Sequence, residues 1–161
     1  MKIFILVMLS LVPSLAAEKL TSIELSDQFG KVHQIQFPTD RPIVLTATDL
    51  KGSDALPAWL TALKEHYSTN VIFVGVADVR SAPAPLRSFV RLRFKKKYSY
   101  PVLLDWNGSI LDQLAPKEAV PNIYFLSTSG KLEQHLSGPF SKERLAALRP
   151  AFTPAALPDN K

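Results

Sequence analysis

The chain has no cysteine among its 161 residues. That absence excludes every chemistry that starts from a thiolate: exchange with a disulfide, attack on a peroxide, ligation of a metal through sulfur. Lipid attachment through a cysteine is excluded with it. No disulfide braces the fold, so stability must come from packing, and a domain of about 150 residues can supply it by burying roughly 68–70% of the surface its unfolded chain exposes. Glycine is sparse, with six residues, and no Gly-x-Ser-x-Gly elbow is present to raise a serine nucleophile. His33, His66 and His135 stand apart, without the pairing of a metal site, and the alternating acids of a calcium loop are missing. Nothing in these patterns calls for a metal or another cofactor.

Long apolar runs are nearly absent too. The only one follows Lys2, from Ile3 to Val12 with Ser10 as its single interruption, and Ser14-Leu15-Ala16 then places small residues at a cleavage site. The run falls short of the ~20 apolar residues that a bilayer span needs. Residues 1–17 are therefore expected to be a secretory signal peptide, with an uncleaved anchor as the competing reading. Export would deliver the protein to the periplasm or beyond, with no stable membrane insertion once the leader is cut. Disulfides are permitted there, so the lack of cysteine is a property of this chain and not of its surroundings.

What remains is ordinary globular composition, 47% apolar and 20% charged, which suits one domain over residues 18–149. The proline-bearing tail, 150–161, has too little apolar content to pack and is expected to be disordered. Leu20–Leu25 and Val32–Phe37 alternate in polarity around Asp27-Gln28-Phe29-Gly30-Lys31, which predicts an N-terminal β-hairpin. Ile43–Thr48 and Val71–Ala77 are apolar runs of the kind buried on both faces of a sheet. Between them Ser53 is a candidate N-cap, and Leu56, Trp59, Leu60 and Leu63 recur at helical spacing to about Tyr67. A crossover of that length predicts a parallel pair with right-handed connection. A second helix is expected over Leu86–Tyr98, with Leu86, Phe89, Val90 and Phe94 inward. Pro101–Asp105 reads as a short strand and Ser109–Leu114 as a helical turn. Asn122–Leu126 and Lys131–Leu136 read as strands, and Ser141 as the cap of a last helix to about Leu148.

These residues carry a resemblance. IELSDQFGKVHQIQF, RPIVLTATD, VIFVGVADV, YPVLLDWNGSI and AVPNIYFLSTSGKLEQHLSGPF together resemble the thioredoxin-like superfamily, in particular the periplasmic TlpA/redoxin type. The likeness covers nearly all of the chain after the leader. It implies an α/β thioredoxin-like fold, a central mixed sheet flanked by helices with a preceding β-hairpin. It also implies that Val120-Pro121, just before a strand, is a cis bond facing the active-site loop, where with Gly138-Pro139-Phe140 and Asp49 it would rim a polypeptide groove. The departure from the family is equally specific. Where relatives carry Trp-Cys-x-x-Cys, this chain has Thr48-Asp49-Leu50-Lys51-Gly52-Ser53-Asp54, so Asp49 or Leu50 stands for the attacking cysteine and Gly52 or Ser53 for the resolving one. A cysteine-free subgroup, the YtfJ-like proteins, shows a similar order of elements.

Other residues are candidates for chemistry. Asp49, Asp78 and Asp105 each follow an apolar strand, and ligands of open α/β sheets bind outside the carboxyl ends of strands. They either form a small acidic site or simply finish strands and cap the next turn. Between Asp78 and Asp105 there is no acid, while Arg80, Arg87, Arg91, Arg93, Lys95, Lys96 and Lys97 accumulate, so much of the formal +5 charge gathers on one helix. Such a field either attracts anionic partners or is a solvated helix face. Nucleic acid is disfavoured by the leader and by the lack of an aromatic RNA-binding pattern.

The sequence thus predicts an exported, redox-inactive thioredoxin-like protein that binds a partner protein or an anionic envelope component. Two alternatives stay open: a non-thiol enzyme using the Asp residues at the strand ends, and a cysteine-free subunit of a redox complex.

Overall fold

The computed structural model describes residues 19–67 and 69–148. The expected leader and tail lie outside the described residues. The hairpin is present as β1 (Ser22–Ser26) and β2 (Val32–Gln36), antiparallel and separate from the main sheet. The main sheet has the order β5-β4-β3-β6-β7, built from β3 (Ile43–Thr48), β4 (Ile72–Asp78), β5 (Leu103–Asp105), β6 (Asn122–Leu126) and β7 (Leu132–Ser137). β3, β4 and β5 run parallel, and β6 and β7 join antiparallel, so the sheet is mixed as expected. The helices are α1 (Leu56–Tyr67), α2 (Arg87–Lys97), α3 (Leu111–Leu114) and α4 (Lys142–Ala146).

Every residue of β3 and of β6 is buried, which is why both read as unbroken apolar runs rather than as alternation. Their alternate side chains feed opposite faces. Ile43, Leu45, Val74, Val76 and Tyr124 pack against Leu20, Ile23 and Leu25 of the hairpin and against Leu111 and Leu114 of α3. On the other face Val44, Ile123 and Phe125 meet Trp59, Leu63 and Tyr67 of α1. Trp59 is fully buried, its indole N–H donates to the Gly138 carbonyl at 2.9 Å, and its ring meets Phe140 edge-on at 5.3 Å.

The hairpin is secured by its turn. Asp27 is 1% exposed and accepts from the amides of Phe29 and Lys31 and from His33 Nε2 at 2.7 Å. Gln28 is wholly buried and reaches across the molecule: Nε2 donates to the carbonyls of Tyr98 and Tyr100, and Oε1 accepts from the Val102 amide. One side chain thereby supplies three partners to a strandless stretch of backbone, whose buried groups would otherwise go unmet. Asp27 also bridges to Leu103 of the edge strand β5.

Two local expectations need correction. Ser53 does not cap α1 with its side chain; it opens a 3-10 turn (Ser53–Ala55) and its hydroxyl donates back to the Leu50 carbonyl at 2.9 Å. α2 is rotated from the expected face. Val90 and Phe94 point inward as foreseen, but Leu86 and Phe89 are 51% and 58% exposed. Arg87 and Arg91 turn inward instead, their guanidinium carbons 5.1 and 5.9 Å from the centroid of the Trp106 ring. An indole face attracts a guanidinium, and these two contacts accompany the outward turn of Leu86 and Phe89. Ser141, by contrast, caps α4 as expected, accepting from the Arg144 amide.

Candidate functional site

At the carboxyl end of β3 the chain turns through Asp49, Leu50, Lys51 and Gly52 into α1, and the segment before β6 comes up beside it. Asp49 joins the two. Its Oδ1 accepts from the Gly52 amide at 2.8 Å and its Oδ2 from the Ala119 amide at 2.9 Å. Asp49 and Gly52 stand three residues apart, the interval of a Cys-x-x-Cys pair, so the structure brings the expected degenerate loop and the expected proline loop together. What it places between them is a carboxylate already bonded on both oxygens. Leu50 projects outward, 76% exposed.

Gly52 is the point of closest approach. A Cβ there would lie 2.7 Å from both N and C of Val120 and 2.5 Å from Thr48 Oγ1. Its φ of −82° is open to any residue, so glycine is required by proximity and not by conformation. The Val120 loop is itself held by Asn122, whose Nδ2 donates to the Val120 and Lys117 carbonyls and whose Oδ1 accepts from the Lys117 amide.

The expectation for Pro121 is overturned. The cis bond among the described residues is Phe37-Pro38, and Val120-Pro121 is trans. Pro121 is buried and its carbonyl accepts from the Gly138 amide at 2.9 Å. The proline therefore serves the core. The Ala119 amide is bonded to Asp49, with Ala119 at a φ of +60°.

The strand-end acids are likewise committed. Asp105 is fully buried and accepts from the amides of Ser109, Ile110 and Leu111, so it caps the turn into α3. Asp78 takes both the Nε and an Nη of Arg80, whose hydrogen bond holds its carboxyl below the usual range. Arg80 also meets Asp112, and these acids push its own pKa up. Each carboxylate finishes a strand or anchors a cation. Of the histidines, His33 pairs with Asp27, His66 lies edge-on to Tyr67, and His135 stacks on Tyr124 with centroids 4.3 Å apart.

The basic helix is where the free charge is. Arg87 and Arg91 cover Trp106, while Arg93, Lys95, Lys96 and Lys97 are exposed. Among the described residues none of these six cations is paired with an acid. Phe89 and Leu92, 58% and 49% exposed, lie among them. At 3.6 residues per turn Phe89, Leu92 and Lys96 share the outermost face, and Arg93 and Lys97 share the flank toward α1.

Beneath that flank is a cavity of about 530 Å³ that the sequence does not foretell. It lies between α1 and α2 over the middle of the sheet, where β3 and β4 present Thr46, Thr48 and Gly75. The available signal was Gly75 inside a strand of otherwise larger apolar residues, a position that leaves a side-chain-sized space unfilled.

No protein-family model and no curated protein matches the chain. Solved structures do. The exposed lipoprotein thioredoxin Etrx1 of Streptococcus pneumoniae is 18% identical with a TM-score of 0.59, covering 78% of this chain and 95% of its own. StoA of Bacillus subtilis is 20% identical with a TM-score of 0.57, over 77% and 92%. A thiol:disulfide interchange protein of the thioredoxin family from Chlorobium tepidum is 16% identical with a TM-score of 0.56, over 82% and 93%. The chain therefore has the thioredoxin-like fold, and it carries no cysteine.

Proposed function

We propose that this protein is an exported, non-catalytic binding module that engages an anionic, partly apolar surface of the cell envelope through α2. The observation that carries the reading is the outer face of that helix: Phe89 and Leu92 are exposed beside Arg93, Lys95, Lys96 and Lys97, with no acid to neutralise them among the described residues. Apolar side chains beside lysine and arginine on one helix face suit an interface of acyl chains and anionic headgroups better than a soluble polyanion. The cysteine-free loop supports the non-catalytic part, since Asp49 spends both oxygens on tying two loops together.

The test is co-sedimentation with vesicles. Vesicles rich in anionic lipid should retain the protein at low salt and release it steeply as salt rises, because exposed charges are screened beyond about 10 Å at 0.1 M. Neutral vesicles should retain little. Replacing Lys95, Lys96 and Lys97 by Glu should abolish retention; unchanged retention in that triple variant would refute the assignment to α2.

A further inference from the structure

On the α1–α2 side of the sheet the apolar interior is divided. One part lies under α1 and α4, around Trp59, Ile123 and Phe125, and the other under α2, around Ala77, Val79 and Leu104. Between them the sheet presents Thr46, Thr48 and Gly75, with Phe73 beside them. A Cβ built on Gly75 would meet nothing nearer than Thr46 Oγ1 at 3.9 Å, so the space above it is open. Interiors normally close such space, since voids cost packing; here it remains as a cavity of about 530 Å³, within the roughly 300–1,000 Å³ of small-molecule sites. Leu56 and Leu60 of α1 and Val90 and Phe94 of α2 form its apolar walls.

The mouth has the opposite character. Lys64 from α1 and Arg93, Lys96 and Lys97 from α2 stand around it. Lys64 Nζ lies 5.6 Å from the Tyr100 ring and Lys97 Nζ 5.3 Å from the Tyr98 ring, and these two rings, 5.5 Å apart, line the same end. Asp49 and Asp78 also border the space, but their carboxylates are engaged by backbone amides and by Arg80. The charge left to meet a ligand is therefore positive.

We infer that this cavity binds a long-chain carboxylate, the hydrocarbon tail lying over Gly75 between α1 and α2 and the carboxylate held at Lys64 and Lys97. The inference rests on the reading of α2 as an anionic-surface helix and names the single molecule that such a surface would supply. Burial of each methylene contributes about 0.8 kcal/mol, or about fourfold in affinity. Titration calorimetry of the full protein with octanoate, decanoate and dodecanoate should show that step at each pair of carbons, about fifteenfold per two methylenes. Dodecanol, with the same chain and no charge, should bind more weakly than dodecanoate.

Gly75→Leu fills the open space and should weaken dodecanoate binding by about tenfold or more, equivalent to losing two methylenes of burial, without releasing the protein from anionic vesicles. Lys64→Glu, on exposed α1 surface away from the α2 face, should weaken dodecanoate and spare dodecanol, and it keeps the test decisive should the Gly75 variant fold poorly. Flat affinity across the chain-length series, or dodecanoate binding unchanged in both variants, would overturn the cavity assignment. Vesicle binding lost in a Phe89→Ser, Leu92→Ser, Lys95→Glu variant, which changes no residue lining the cavity and leaves Lys64 and Lys97 in place, with dodecanoate retained supports two separable sites. Dodecanoate binding in a protein that ignores anionic vesicles would overturn the surface reading and leave the cavity standing.

Discussion

Gly52→Ala probes the close approach of the Asp49–Gly52 loop to Val120. The added Cβ would sit 2.7 Å from Val120 N and C, both backbone atoms, and 2.5 Å from Thr48 Oγ1. Thr48 is β-branched and stiff, and the Val120 loop is bonded to Asp49 and Asn122, so neither neighbour yields freely. Overpacking of this kind costs about 1–3 kcal/mol. Working against it, Ala restricts the unfolded chain by about 0.4–1 kcal/mol in the protein's favour, because a φ of −82° is open to it. The net is a loss of about 1–2 kcal/mol, read as a melting temperature lower by about 3–8 °C for a domain of this size. Thermal denaturation followed by circular dichroism measures it. A Gly52→Ala protein as stable as the parent would show that the two loops are not packed as described. The same contact opposes installing a thiol pair: Asp49→Cys combined with Gly52→Cys should give a destabilised protein that does not turn over insulin.

Buried polar groups give further expectations. Gln28→Leu strips partners from the Val102 amide and the Tyr98 and Tyr100 carbonyls and should cost about 2–4 kcal/mol, checked by denaturant midpoint; a loss under about 1 kcal/mol would contradict the bridging role. Burial, helped by the charge of Lys117, holds the pKa of His135 below its ordinary 6.5. The unfolded chain then binds the proton more readily, so stability should fall as pH drops through 6.5, and His135→Gln should lessen that fall between about pH 7.5 and 5. Burial of Asp27 works against its charge, but the His33 hydrogen bond and the Lys31 and Phe29 amides outweigh it and keep the pKa below 3.8. Its contribution is present above that value and is lost as pH falls below it through the native pKa, so Asp27→Asn should be less acid-sensitive in that range while being weaker near neutral pH. The parent protein should reduce no insulin disulfide and consume no peroxide, and turnover that copurifies with it would refute the redox-inactive assignment.

How much of this was legible in the residues depended on how local the cause was. β3, β4, β6 and α1 could be read because burial on both faces or on one stripe writes itself into the chain as a run or a period. The hairpin was legible for the same reason. The rotation of α2 was not, because what turns Arg87 and Arg91 inward is Trp106, which belongs to a different strand end. Gln28 looked like a turn residue; its three partners lie 70 to 74 positions on. For the site, the residue types at 49 and 52 stood out as replacements, yet the bond from Asp49 to Ala119 and the burial of Pro121 depend on how two distant loops meet. The cavity was the least visible, since an omitted side chain leaves only a glycine in a strand.

The reach of Gln28 sets an order of assembly. The turn is shaped locally by Asp27, but the groups that dock it, from Tyr98 to Leu103, are made only after β3, α1, β4 and α2 have been synthesised. Contacts this far apart in sequence carry a loop-closure cost before they contribute, and they slow folding. The hairpin's turn is therefore docked late, and a chain stopped before Tyr98 lacks every partner of the Gln28 side chain.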